Sequence, residues 1–398
     1  MDSEQSDIQF WFKGFALSLL FINIVGVIMV YSSSYIYAKE VYDNSSYFFV
    51  RQLVFLSVGL LVAYIIGKTR FDFWTKYAHW INGLVILSLI LTFVPGIGVE
   101  VKGANRWLNF GGFSLQPGEV LKYSLLLSSL NYFEKFGSMD RRDRILLALF
   151  LLFPLALVLK QPDYGTFMIC FTGVLFACYL SSFPRKYFYS MVPVGFIVGA
   201  GLLVAQPYRV ARLKTFLDPW QSPQGSGFQI IQSWMAFANG GVIGKGLGNS
   251  NEKLFYLPEA HNDFIFSVLG EELGFMGVTM TVILFLALIF FGLKMMTHVK
   301  GRMPALVGAA AVFTLGFQAL LNMGVVLGLL PTKGLNLPFI SYGGSSLVSN
   351  FFAVGLILCA YNHQKRQEEK AQEVEDRLYA NPYRSSETQR GQDLFSHL

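Results

Sequence analysis

The chain has 398 residues, of which 53% are hydrophobic and only 14% charged, with a mean hydropathy of +0.46 and a formal net charge of +6. These values exclude an ordinary soluble globular protein, which does not carry so many long uncharged runs. No basic stripe interleaved with aromatic residues lies outside the apolar segments, so nucleic acid is not expected as a partner.

Uninterrupted apolar segments of ~17–25 residues match the ~30 Å hydrocarbon core of a bilayer. In chain order they predict helices over 14–31, 52–66, 78–94, 117–133, 145–159, 163–182, 188–205, 273–293, 304–330 and 342–361. The fourth is apolar on most sides but carries Glu119 and Lys122. The expected fold class is therefore an all-α integral membrane protein with about ten transmembrane helices. Helices are the choice because backbone in lipid must satisfy its own hydrogen bonds, and no alternating barrel pattern is present. The acidic start MDSEQSD and the absence of a small-residue cleavage site make the first run an uncleaved helix.

Orientation follows from Lys and Arg. The connections 1–13, 67–77, 134–144, 183–187 and 294–303, with the tail from 362, hold 19 of the 31, six of them in the tail. The other connections and helices hold 12, five of them in 206–262. The basic set is placed in the cytoplasm, with both termini on that side. Cys170, Cys178 and Cys359 fall inside apolar segments and read as packing residues, not as a disulfide or metal set.

The expected organisation is a cytoplasmic N-terminus (1–13), one polytopic membrane domain (14–361) and a charged cytoplasmic tail (362–398). Two outer connections interrupt the helices. The first, 95–117, is a Gly-rich loop with an Arg-Trp-Leu anchor. The second, 206–262, is far longer than a turn needs, and 227–238 within it has the apolar spacing of an interfacial helix. Long ordered loops of this kind usually carry function.

Charges in or beside apolar helices are costly and therefore informative. Glu119 and Lys122 are three residues apart and share a helix face, either as a self-neutralising pair near the headgroups or as the lining of an outward-opening pocket. Lys160, Gln161 and Asp163 form a second outer polar patch: either Asp163 caps the next helix or the patch meets substrate. In LPEAHNDFIFSVLGEELGF (257–275), Asp263 either caps a helix from Phe264 or acts on a lipid headgroup. The charge-free run Leu273–Leu293 already spans the hydrocarbon, which puts Glu271 and Glu272 at the boundary and Asp263 above it. Soluble-enzyme signatures such as a phosphate-binding loop, HExxH, GxSxG or CxxC are absent. Three classes remain: an enzyme acting on a lipid-borne substrate at the outer face, a transporter or flippase, and a scaffold.

Several motifs occur together and in order: NRWLNFGGFSLQPGEVLK (105–122), KQPDYGT (160–166), YRVARLKTFLDPWQSPQGSGFQ (208–229), GLGNSNEKLFYLPEAHNDFIFSVLGEELGF (246–275) and PTKGLNLPFISYGGSS (331–346). With them the chain closely resembles the SEDS family of bacterial cell-wall proteins from residue 14 to about 361. YLPEAH and the PTKGLNLP form resemble the family's division branch more than its elongation or sporulation branches. Two positions depart from the common pattern: Asn262 stands where Thr is usual, and Gly118 makes QPGE of the usual QPSE or QPAE.

The resemblance implies a peptidoglycan glycosyltransferase of the bacterial cytoplasmic membrane, acting at the division septum. Lipid II and a class B penicillin-binding protein transpeptidase are the implied partners, with other division proteins and membrane lipids; a lipid II flippase or a non-catalytic division scaffold is the alternative. It implies transfer from undecaprenyl pyrophosphate with inversion, giving β-1,4 glycan. The family's essential aspartate falls on Asp263, and its Glu and Lys fall on Glu119 and Lys122. Lys122 would pair with Asp263 or bind pyrophosphate. His261, Glu259 and Glu119 are candidates for positioning or for holding a divalent cation (Mg or Mn), and Arg209, Arg212 and Lys333 are on the side that meets phosphate, with Lys333 read first as an interface anchor.

Overall fold

The structure is a computed structural model and describes residues 2–101, 103–111, 113–204, 213–251 and 260–379. Among these, the expected helices all form: α1 (Asp2–Tyr42), α2 (Tyr47–Lys68), a short α3 (Phe71–Lys76), α4 (Ala78–Leu91), α5 (Pro117–Lys135), α6 (Arg141–Lys160), α7 (Tyr164–Leu180), α8 (Arg185–Val204), α9 (Phe228–Gly240), α10 (Ile265–Thr297), α11 (Arg302–Val326) and α12 (Gly344–Tyr379). Five are long and apolar enough to cross a membrane: α1 from Asp7, α2, α10, α11, and α12 to Glu369. Helices α4 and α7 are apolar but shorter.

Helix α5 is the hub. It packs against α4, α6, α7, α11 and α12, and nearly every residue from Pro117 to Phe133 is buried. That position explains a composition with Glu119, Lys122, Ser124, Ser128, Ser129 and Asn131, all buried. A helix screened from lipid by its neighbours can carry polar groups that find partners within the bundle. Around it, α2 packs on α12, α12 on α11, α11 on α10, and α10 on α1.

Two expectations are corrected. The connection 95–117 is no simple loop: it folds into a three-stranded antiparallel sheet, β1 (Gly98–Val101), β2 (Ala104–Phe110) and β3 (Phe113–Leu115), in the order β1-β2-β3. Val99 faces Trp107 and Leu108 faces Leu115 in the register. From β2, Arg106 donates to the carbonyls of Gln161 (3.1 Å) and Pro162 (2.7 Å), tying the sheet to the α6–α7 turn. This end of the bundle is termed the outer end after the expected orientation.

The second correction concerns Glu271 and Glu272. They do not sit on a straight helix: both are buried in the bundle, and α10 is broken just after them at Gly274 (φ 66°, ψ −165°). The segment after α9 inserts at the break. Phe275 and Met276 donate backbone N–H groups to Gly241 and Val242, while Lys245 and Gly246 donate theirs to Glu271 and Glu272. Side chains complete the joint. Lys245 Nζ meets Glu271 Oε1 at 2.7 Å, Ser250 donates to Glu271, and Ser32 of α1 donates to Glu272. An inserted chain that borrows ladder hydrogen bonds is a sufficient cause for the kink. The length arithmetic assumed an unbroken helix, and the break at Gly274 is what it did not foresee.

Gly274 has both requirements for glycine: a left-handed φ, and no room for a Cβ, which would collide with the backbone nitrogen of Gly244. Gly274→Ala is therefore expected to cost at least ~1–3 kcal/mol. The check is the thermal midpoint in detergent, which should fall by several degrees; an unchanged midpoint would rule out this account of the kink.

Candidate functional site

At the outer end, four elements meet: the start of α5, the end of α11, the segment 260–264 before α10, and the connection 327–343. Helix α5 starts at Pro117, whose fixed φ suits a first helical position, and this sets Glu119 and Lys122 on one buried face. Lys122 Nζ donates to Glu119 Oε2 and to Gln318 Oε1, each at 2.6 Å. The pair is self-neutralising, as one reading held, and it lies buried inside the bundle. Lys122 is thus committed to Glu119 and Gln318, and the expected pairing of Lys122 with Asp263 is not observed.

Asp263 sits just ahead of α10. Phe264 occupies the capping position and Ile265 begins the helix, so Asp263 stands one residue before the cap. A Cβ placed on Gly334 would come within 3.1 Å of Asp263 Oδ2, so the carboxylate lies directly against the 331–343 connection. The Asp263 main-chain carbonyl accepts from Asn322 Nδ2 at 2.9 Å. Lys333 immediately precedes Gly334. Partial burial lowers the pKa of its ammonium below the ordinary lysine value.

Gln318 and Asn322 were not singled out from the sequence, yet they join the site's charged groups. They are one turn apart on α11 and almost fully buried. Gln318 Nε2 donates to the Asn336 carbonyl at 2.9 Å, and Asn322 Nδ2 donates to that of Leu335. The available signal was two carboxamides spaced i,i+4 within an otherwise apolar helix, where polar side chains face the bundle interior.

His261 lies among the rings of Phe48, Tyr37 and Tyr342, with centroids 4.6, 5.5 and 5.9 Å away. Its carbonyl accepts from Tyr342 N at 3.0 Å. The long outer extension of α1 supplies Tyr37. Asp163 caps α7, as weighed, by accepting from Thr166 N (3.1 Å) and Thr166 Oγ1 (2.9 Å). Gly118 has a local reason: a Cβ there would meet Thr166 Cγ2 at 3.3 Å, so a larger residue needs α7 to give slightly.

Of the three donors expected for a divalent cation, Glu119 and His261 lie among the described residues. Glu119 is neutralised by Lys122, His261 is packed among rings, and Glu259 lies outside the described residues. Among the described residues no three His, Cys, Asp or Glu side chains converge to hold an ion. Arg209 and Arg212 also lie outside the described residues.

Comparison with known proteins places this geometry in context. Residues 13–366 match the family model that groups FtsW, RodA and SpoVE, described as cell cycle protein. The chain is 40% identical over 344 residues to the probable peptidoglycan glycosyltransferase FtsW of Geobacter metallireducens, covering 85% of this chain and 91% of that one. It is 36% identical over 349 residues to the stage V sporulation protein E of Bacillus subtilis, covering 86% and 94%. Among solved structures, a chain from a peptidoglycan synthase complex, described as coordinating polymerization and crosslinking, superposes with a TM-score of 0.70 at 28% identity, covering 88% of this chain and 97% of that one. The rod shape determining protein RodA of Thermus thermophilus superposes with a TM-score of 0.64 at 27% identity, covering 88% and 96%.

Proposed function

Because the chain belongs to the FtsW/RodA/SpoVE family, the SEDS proteins, we propose that it is a peptidoglycan glycosyltransferase that polymerises lipid II during septal wall synthesis. Its working partner in this reading is a class B penicillin-binding protein, and its place is the cytoplasmic membrane of a bacterium. One observation carries the reading: a half-buried carboxylate, Asp263, lies against the glycine that follows Lys333, at the end of the bundle where a lipid headgroup would enter.

The chemistry is a single displacement. The acceptor's 4-hydroxyl attacks the anomeric carbon of the donor and gives its proton to the Asp263 carboxylate. The bond from that carbon to undecaprenyl pyrophosphate breaks, and the pyrophosphate leaves with the electron pair. An α-linked donor gives a β-1,4 product by inversion. The reaction needs a base on one side and positive charge on the other. With Lys122 held by Glu119 and Gln318, Lys333 is the lysine in this set of described candidates best placed to meet the pyrophosphate. Arg209 and Arg212 are further candidates for that role.

The lysine assignment has a pH signature. Burial lowers the Lys333 pKa, and only the protonated form assists, so its contribution is complete below that pKa and is lost as pH rises through it. Arg stays protonated to much higher pH. Lys333→Arg is therefore expected to move the alkaline limb of the kcat/KM profile upward, since that profile reports the free protein. An unmoved alkaline limb would remove Lys333 from the reaction.

The function itself is tested with detergent-solubilised protein, its transpeptidase partner and lipid II. Glycan polymer is expected without any second compartment. Passage of lipid II across liposome membranes with no polymer formed would replace this reading with a flippase. Tolerance of simultaneous substitution at Asp263, Glu119 and Lys122 in a complementation test would point to a scaffold.

A further inference from the structure

We propose that Asn322 is a positioning residue for the transfer reaction, fixing the backbone of Asp263 against the 331–343 connection, while Gln318 beside it links the Lys122 ammonium to the same connection. This deepens the glycosyltransferase reading and rests on it.

The geometry is a bracket. Two successive carbonyls of the connection, Leu335 and Asn336, are each held by a carboxamide of α11, the first by Asn322 and the second by Gln318. The same Asn322 Nδ2 also holds the carbonyl of Asp263. One nitrogen thus ties the carboxylate's own residue to the residue after Gly334. A second tie runs alongside, from Tyr342 N to the His261 carbonyl. Leu337 N donates to Ser341 Oγ at 2.8 Å and stiffens the connection between these ties. The backbone of 261–263 is thus pinned from two sides.

Packing alone does not account for Asn322. Its Oδ1 is buried and has no hydrogen-bond partner among the described residues. An unsatisfied buried acceptor is destabilising, and a half-satisfied carboxamide is worse for stability than an apolar side chain of similar size. The residue is accounted for by its two donated hydrogen bonds, both to segments of the site. Displacement of a reacting group by ~1 Å is enough to lower a rate by roughly a hundredfold. The charged groups around the bracket are Asp263, Lys333 in the connection, and the Glu119–Lys122 pair beyond Gln318.

The test measures initial rates of polymer formation against lipid II concentration, using the full chain with its transpeptidase partner. Asn322→Ala is expected to lower kcat by about tenfold or more with KM changed less than about twofold. Asn322→Asp is similar in size but cannot donate when ionised. Its neutral form regains one donor, and burial raises the pH at which that form appears. The ratio of its kcat to that of the wild type should therefore rise as pH is lowered, which a purely structural role would not produce. A flat ratio, or a loss confined to KM, overturns the proposal, and Asn322→Asp decides alone if the alanine variant fails to fold. If Asp263→Asn is inactive while Asn322→Ala keeps wild-type kcat, only the positioning role falls. If Asp263→Asn polymerises normally, the base assignment falls and the positioning role with it.

Discussion

Asp263→Asn is expected to abolish glycan polymerisation while leaving the protein folded and bound to its partner. The substitution is nearly isosteric and removes only the ability to accept a proton. General base catalysis contributes roughly 10²–10⁴-fold, so polymer should fall below the level detectable by gel in ordinary reaction times. The main-chain tie from Asn322 to the Asp263 carbonyl does not involve the carboxylate, so the local backbone should survive the change. Size-exclusion behaviour and thermal midpoint provide the control. Asp263→Asn with wild-type polymer yield would remove Asp263 as the base.

The second large effect is at the buried pair of Glu119 and Lys122. Lys122→Met leaves the Glu119 carboxylate deep in the bundle without its cation, and Glu119→Gln leaves Lys122 with only a neutral partner. Removing one member of a buried ion pair costs about 3–5 kcal/mol because the other charge is stranded. Replacing both members removes the stranded charge. The double variant Glu119→Gln/Lys122→Met is thus expected to recover most of the thermal stability lost in either single variant. Polymerisation should stay at least about tenfold down, because Gln318 then has no ammonium to hold it against the Asn336 carbonyl. Recovery of stability and activity together would make the pair a structural element only.

The two predictions separate contributions that the sequence presents as one acidic and basic cluster. Asp263 is half-buried and lies against a glycine, whereas Glu119 and Lys122 are enclosed and mutually neutralised. The first arrangement suits a group that exchanges a proton with a ligand. The second suits a fixed support, linked to the first by α11.

The sequence by itself determined the helical membrane character, the positions of the helices and the identity of the charged candidates. Apolar run length reports directly on hydrocarbon thickness, and a charge in such a run stands out whatever the fold. The helical spacing over 227–238 likewise anticipated α9, and Asp163 after Pro162 anticipated a cap. Tertiary structure alone decided what each charge meets. Glu271 and Glu272 read as residues of a straight helix, whereas the insertion of 241–246 at Gly274 encloses them, and no local pattern encodes that insertion. The pairing of β1, β2 and β3 depends on contacts across turns in a stretch whose glycines read as loop. Gln318 and Asn322 are ordinary polar residues in one dimension. They become the link between Lys122 and Asp263 only when α5, α11 and the 331–343 connection converge, because a hydrogen bond is set by distance in space and not by separation along the chain.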